Sequence, residues 1–195
     1  LSVLAAQGLT NGIFNNGKVE PSSYRLVNVL EMYLPNPIEE TKLPFARAPE
    51  KEIEKKLVHH GDIFFTRSSL VREGIAHSNI YLGSDLKITF DGHLIRLRPA
   101  TPLIYPLFLH YLLKTSAVRS QLISKSKTAT MTTIGQDDVA ETILSVPSRA
   151  EQRQVADCLA SLDALITAQS KKLDSLKLHK QGLMQGLFPT VEAGA

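Results

Sequence analysis

The sequence predicts an α+β domain followed by one long C-terminal coiled-coil helix. Three observations carry that expectation. An apolar seam with alternating four- and three-residue spacing runs through Val155, Leu159, Leu162, Ile166, Gln169, Leu173, Leu176, Lys180, Leu183 and Leu187, and eight of these ten positions are apolar. Ahead of it, short apolar runs alternate with Gly, Pro and Asp turns, as strands do. Between the two patterns, Ser148 and Glu151 form an S-x-x-E capping box. The expected organisation is a globular domain over 1–147, a helix over 148–188 and a tail over 189–195. A helix of that length would extend about 60 Å at ~1.5 Å per residue, longer than a domain of this size is wide. It is therefore expected to project, with its seam in need of a partner.

Within the domain, residues 24–33 (YRLVNVLEMY) read as a strand stopped by Pro35 and Pro37. Residues 39–56 are charged and contain Pro44 and Pro49, which predicts a loop and then a short helical turn. His60-Gly61-Asp62 is a turn into the compact apolar strand Ile63-Phe64-Phe65-Thr66. Residues 75–82 and 87–98 are further strands, with turns at Gly83-Ser84-Asp85 and Asp91-Gly92. Alternation at the end of the latter run predicts one wet face. Pro106 suits a first helical turn, and apolar density over 107–114 and 117–123 predicts helix with a break near Thr115-Ser116. Residues 124–133 (SKSKTATMTT) form a polar loop. Residues 143–146 read as a short strand ended by Pro147, and Pro189 ends the long helix. Strands with segregated helices place the domain in the α+β class.

The apolar fraction of 43% is ordinary and the charged fraction of 21% slightly low, so a folded core is expected over 195 residues. The one cysteine, Cys158, falls in the helical pattern and cannot make an internal disulfide. A reducing, cytoplasmic setting is the simplest reading. There is no apolar run of membrane-spanning length and no signal-peptide pattern at the start. The chain opens at Leu1, which suggests a fragment or a processed start. Net charge is +3, unevenly distributed. Residues 92–136 hold six basic side chains (Arg96, Arg98, Lys114, Arg119, Lys125, Lys127) and no acid, whereas residues 1–91 hold ten basic and eleven acidic ones. A locally basic segment suits phosphate binding, because each neutralised phosphate releases condensed counterions. A solvated basic face is the alternative.

In the loop 124–133, Lys125 and Lys127 are interleaved with Ser124, Ser126, Thr128, Thr130, Thr132 and Thr133. Lysines supply point charges for phosphates, and hydroxyls bond to phosphates or base edges. A flexible surface loop is the competing reading. Arg67 leaves the end of a buried strand, where a rigid element can present its bidentate fork to guanine. A structural ion pair with Asp62, Glu73 or Asp85 is equally open. The candidate DNA contacts are Arg67, Ser68, Arg72, Lys125, Lys127, Thr128, Thr130 and Thr132. No catalytic residue, metal or cofactor is expected. His59, His60 and His77 lack further ligands at zinc-like spacing, and there is neither a G-x-S-x-G elbow nor a glycine-rich phosphate cradle. Along the seam, Gln169 and Lys180 are either weak points or residues that set register and partner choice. Lys172 and Lys177 flank it, free for solvent or for acids on a partner helix.

The run Val146-Pro147-Ser148-Arg149-Ala150-Glu151-Gln152, then Leu162-Asp163-Ala164-Leu165-Ile166, Leu173, Leu176 and Gly182-Leu183-Met184-Gln185-Gly186-Leu187-Phe188, resembles the specificity (S) subunit of type I restriction–modification enzymes. In that family a proline and a Glu-Gln pair introduce a long conserved-region helix with a similar ending. Gly61-Asp62-Ile63-Phe64-Phe65-Thr66-Arg67-Ser68 resembles a motif of the family's target recognition domains, and residues 24–29 fit its early strand less specifically. The resemblance implies a non-catalytic reader of double-stranded DNA, with one target recognition domain and one conserved-region helix. It would hold methyltransferase (M) subunits, and through them the endonuclease (R) subunit, on one half of a bipartite target. The helix would pair antiparallel with a second such helix and dock M subunits. Full S subunits carry two domains and two helices, so this chain is expected to be half of a longer subunit or a half-sized subunit that forms a homodimer. Only Arg67 among the candidate contacts rests partly on the family motif. Charge and seam alone leave open a coiled-coil interaction adaptor without DNA binding; the absence of an Asn-Pro-Pro-aromatic motif speaks against an adenine methyltransferase.

Overall fold

A computed structural model describes residues 1–188, in two units, Leu1–Ala156 and a second that begins at Asp157. The predicted helix stop at Pro189 and the tail over 189–195 lie outside the described residues.

The first unit is built on a four-stranded antiparallel sheet, in the order β1-β7-β3-β5. Strand β1 (Ala5–Asn11) is bulged, with two residues more between Ala5 and Leu9 than β7 has between their partners Pro99 and Leu97. Gly8 sits in that bulge at φ +70°, a conformation that costs glycine nothing. The predicted strand over 24–33 divides into β2 (Arg25–Val27) and a 3₁₀ turn over Val29–Tyr33. Asn28 and Glu31 form a capping box there, with the Asn28 backbone N–H donating to Glu31 Oε2 at 2.7 Å, and the helical turn replaces further strand. Short 3₁₀ turns and helix α1 (Glu50–Ile53) occupy the charged stretch that follows.

Strand β3 (Ile63–Thr66) keeps its predicted bounds and is buried on both faces. Ile63 and Phe65 enter the core beneath the helices, and Phe64 enters a second core with Tyr81, Phe90 and Met32. After β4 (Ser68–Ser69), the predicted strand over 75–82 shortens to β5 (Ser78–Ile80), because buried Ala76 takes φ +52° and bends the chain ahead of it. Strand β6 (Ile88–Phe90) pairs in parallel with β2, and β7 (Leu94–Pro99) follows the Asp91-Gly92 turn. The wet face expected on β7 is absent. Arg96 is 7% exposed, and Arg98 is held by Asp62.

Helices α2 (Pro106–Lys114) and α3 (Ser116–Lys125) pack Leu109, Leu113, Val118 and Leu122 into the first core. They are separated at Thr115, extended at ψ 148°, whose hydroxyl donates to Leu112 O at 2.8 Å while its carbonyl accepts from Arg119 N. Strands β8 (Lys127–Thr128) and β9 (Thr132–Thr133) lead to α4 (Gln136–Ala140). Residues 143–146 are not a strand. Ile143 is exposed, and the Gln121 side chain satisfies its backbone N–H and C=O, so no ladder forms.

Helix α5 (Arg149–Leu187) begins with the predicted capping box. Ser148 Oγ and N both donate to Glu151 Oε2, at 2.7 and 2.9 Å. Gln152 fixes this first turn to the domain and is 1% exposed. Its Oε1 accepts from the backbone N–H of Tyr105, and its Nε2 donates to Pro147 O. In the second unit, among the described residues, the helix continues to Leu187.

Candidate nucleic-acid interface

The segment Gly61–Arg67 shows how the fold delivers one candidate. Gly61 turns at φ +86° against Pro106, and its N–H donates to Tyr81 O. Asp62 is fully buried; its carboxylate accepts two bonds of 2.8 Å from Arg98 and a third from His59 N. Thr66 Oγ1 donates to Gly74 O and accepts from His77 N. The strand is thus pinned on both sides until Arg67, whose side chain is half-buried and makes one long bond of 3.4 Å to Gly92 O. The alternative ion pair with Asp62, Glu73 or Asp85 does not form; Asp62 belongs to Arg98, with Arg96 3.9 Å away.

Immediately beyond Arg67, the chain enters a three-stranded sheet of order β4-β9-β8. Ser68 pairs with Thr133, Ser69 with Thr132, Lys127 with Thr133 and Thr128 with Thr132. Ile134 N donates to Arg67 O and closes the ladder at that end. Two candidate segments about sixty residues apart in sequence thereby join in one small sheet, where Ser68 and Lys127 share a face through Thr133 and Thr128 takes the other with Ser69 and Thr132. Ser68 is half-buried, while Lys127, Thr128 and Thr130 are exposed. Among the described residues, the Lys127 ammonium meets no acid. Arg72 is exposed in the 3₁₀ turn Arg72–Gly74.

Two candidates are placed differently from the expectation. Thr132 is 1% exposed, and its hydroxyl shares a 3.0 Å bond with Thr128 Oγ1, so it holds the hairpin together instead of facing solvent. Lys125 is tied to Glu141 at 2.7 Å. The basic stretch 92–136 is likewise largely committed inside the fold. Arg96 donates to Leu57 O, and burial lowers its pKa against the pull of Asp62. The hydrogen bond to Asp62 raises that of Arg98. Arg119 donates to Ile75 O and Glu73 O, with its pKa lowered by burial. These bonds, together with Tyr33 Oη donating to Gly74 O, clamp the turn that carries Arg72.

Sequence reasoning also missed neighbours of this sheet. Phe14 is exposed and meets His93 edge-on at 5.9 Å, and His93 O accepts from Arg67 N. Leu70 and Met131 stand exposed at the sheet's other end. An exposed large apolar residue inside a polar loop was the available signal.

No cluster of three or more metal-ligating side chains exists among the described residues, so His59, His60 and His77 share no metal-holding group. His77 instead lies 4.9 Å from the Tyr33 ring, and burial lowers its pKa. No helix among the described residues is long and apolar enough to cross a membrane.

On α5, the large apolar seam residues other than Leu159 range from 43% exposed at Val155 to 71% at Leu187. Leu162, Ile166, Leu173, Leu176 and Leu183 fall between, Leu159 is half-buried, and Gln169 and Lys180 are exposed with them. Leu165 and Met184 are exposed beside the seam and widen it.

Known proteins resemble this chain in sequence or in fold. A Methanocaldococcus jannaschii chain described as the proposed specificity subunit of a type I restriction enzyme, MjaX, is 27% identical over 183 residues, 92% of this chain and 42% of that one. The MjaVIII type I specificity subunit of the same organism is 27% identical over 144 residues, 74% of this chain and 31% of its own length. The chain thus spans less than half the length of these curated relatives. Among solved structures, the type I restriction–modification S subunit from M. genitalium superimposes with a TM-score of 0.60 at 16% identity, covering 98% of this chain and 45% of that one. The HsdS subunit from Thermoanaerobacter tengcongensis does so with a TM-score of 0.58 at 16% identity, covering all of this chain and 50% of that one. At such identities the superpositions establish a shared fold. The family model for the type I restriction modification DNA specificity domain matches residues 33–178, most of the sequence, and the chain belongs to that family.

Proposed function

We propose that this chain reads one half of a bipartite target in double-stranded DNA, as the specificity component of a type I restriction–modification complex. The observation that carries the reading is the β4-β9-β8 sheet, which gathers Arg67, Ser68, Lys127 and Thr128 beside Arg72 and Thr130, with Ser68 and Lys127 both in register with Thr133 and so on the same face. A cation free of acids, an arginine at the end of a rigid strand and a set of hydroxyls supply phosphate contacts and base-edge bonds together. Lys125 and Thr132 act behind this surface, as an ion pair and a hairpin bond. No chemistry is assigned to the chain itself.

The exposed seam on α5 supports the second half of the reading. It would pair antiparallel with another such helix, from a second copy or the other half of a longer subunit, and dock methyltransferase subunits that in turn engage the endonuclease subunit. An apolar stripe of this length is stabilised by covering it. The test is selection of retained sequences from randomised duplex by the full chain, followed by affinity measurements at low and high salt. One enriched half-site motif, with log K falling linearly in log salt, is the expected result. Salt-insensitive binding without enrichment would remove the reading and leave a protein-interaction adaptor.

A further inference from the structure

The end of the β4-β9-β8 sheet carries an apolar tip that the polar and charged candidates do not explain. Ser69↔Thr132 is the last pair of β4 with β9, and Leu70 and Met131 are the residues that flank it where the two strands leave the ladder. Leu70 is 83% exposed and Met131 39%, and Val71, the next residue, is exposed as well. Single exposed apolar residues need no account, but several meeting at the end of an otherwise hydroxyl-rich sheet mark a contact surface. The backbone presents them firmly. Val71 N donates to Ser69 Oγ, the carbonyls of Glu73, Gly74 and Ile75 are clamped by Arg119 and Tyr33, and a Cβ on Gly74 would strike Ser69 Oγ. The other flank is the three-residue tip Ala129-Thr130-Met131, closed by Ala129 N donating to Met131 O.

Charge indicates what covers this tip. Lys127 lies one register step behind Thr128 with no acid partner, and Arg72 is exposed in the adjoining turn, where Glu73 is the one acid. A small apolar patch between cations and hydroxyls suits a polyanion that has an apolar group recessed between its phosphates. In the major groove of B-DNA that group is the thymine C5-methyl, and the groove admits a two-stranded ribbon such as β8–β9. We infer that Leu70 and Met131 form a thymine-methyl contact and make this head prefer an A·T pair at a defined position of its half-site. The inference rests on the DNA-reading function proposed above.

The test uses the full chain, wild type and Leu70→Ala/Met131→Ala, on randomised duplex made with thymine or with deoxyuridine in its place. Both side chains are exposed, so the variant should melt as the wild type does. Wild type should enrich a motif containing an A·T position, and deoxyuridine should reduce enrichment there about three- to fivefold, the scale of one buried methyl group. The double variant should show that reduction already with thymine and no further loss with deoxyuridine. Three results would overturn the inference: an unchanged motif in the variant, equal sensitivity to deoxyuridine in both proteins, or a weakened variant against an insensitive wild type, which would indicate an apolar wedge in the minor groove. Absence of any motif with wild type would instead remove the underlying DNA-reading function, and the inference with it.

Discussion

On the DNA-reading function proposed above, Lys125 and Lys127, two residues apart, are expected to contribute unequally to DNA affinity. Lys125 is held at 2.7 Å by Glu141, a neutral pair to any approaching phosphate, whereas the Lys127 ammonium has no acid beside it. If Lys127 neutralises one phosphate, its removal should make the slope of log K against log salt shallower by about 0.9. Between 50 and 200 mM salt, wild type should then lose about 3.5-fold more affinity than Lys127→Ala does. Lys125→Ala should change the slope by less than half as much. Anisotropy of a labelled duplex, titrated with each protein across that range, reads all three slopes. Parallel lines for wild type and Lys127→Ala would refute the assignment, as would equal changes in the two variants.

His110 is buried on α2, and its pKa is pushed down to about 3 by desolvation first and by Lys114 second. Unfolded histidine titrates near ~6.5, so the unfolded chain takes up a proton that the folded chain refuses. This contribution is fully present above about pH 6.5 and is lost on the order of 1.4 kcal/mol per pH unit as pH falls toward 3. Urea unfolding between about pH 7 and pH 5 should therefore show a shallower acid loss for His110→Phe than for wild type, and identical pH dependence would refute it. Asp62→Ala strands Arg98 and buried Arg96 without their counter-charge and should cost about 3–5 kcal/mol in the same assay, while a loss below about 1 kcal/mol would show that water replaces the carboxylate. Light scattering should report a lower mass for Leu162→Asp/Leu173→Asp than for wild type, and an unchanged mass would count against pairing through the seam.

What could be read from the sequence was local. The α5 seam repeats within each pair of turns, its capping box lies within four residues, and β3 is one unbroken apolar run, so each announces itself without knowledge of the rest of the chain. Strand β1 (AAQGLTN) offers neither an apolar run nor clean alternation, because its bulge at Gly8 breaks the period; its pairing with β7 is fixed by residues about ninety positions away. The Asn28–Glu31 cap competes with strand propensity over 24–33 and prevails only when built. The candidate interface was visible as two separate segments and not as one sheet, since strands of two residues carry no period and Ser68↔Thr133 pairing is a tertiary fact. Charge was misleading for the same reason. Arg96 and Arg98 alternate as surface residues would, but buried Asp62 and Leu57 O, supplied from a distant turn, draw both inward.

This inward use of arginine bears on why one head should need another. On the DNA-reading function, Arg67, Arg72 and Lys127 are the cations left at the sheet, enough for a salt slope of about −2.7. Over 50 to 200 mM salt that corresponds to a loss of about 40-fold, far below the thousandfold or more of proteins making six to ten phosphate contacts. A head with so few contacts has little nonspecific affinity, which favours discrimination but leaves occupancy low. Linking two heads makes the second contact intramolecular, at an effective concentration that can reach about millimolar, and raises avidity by roughly 10²–10⁴ without any new contact in either head. The exposed seam would then determine affinity, and the β4-β9-β8 sheet sequence choice. Leu162→Asp/Leu173→Asp should accordingly weaken binding to paired half-sites by at least about 100-fold while enriching the same half-site motif from randomised duplex. A motif that changed along with the mass would mean that the seam shapes the reading surface itself.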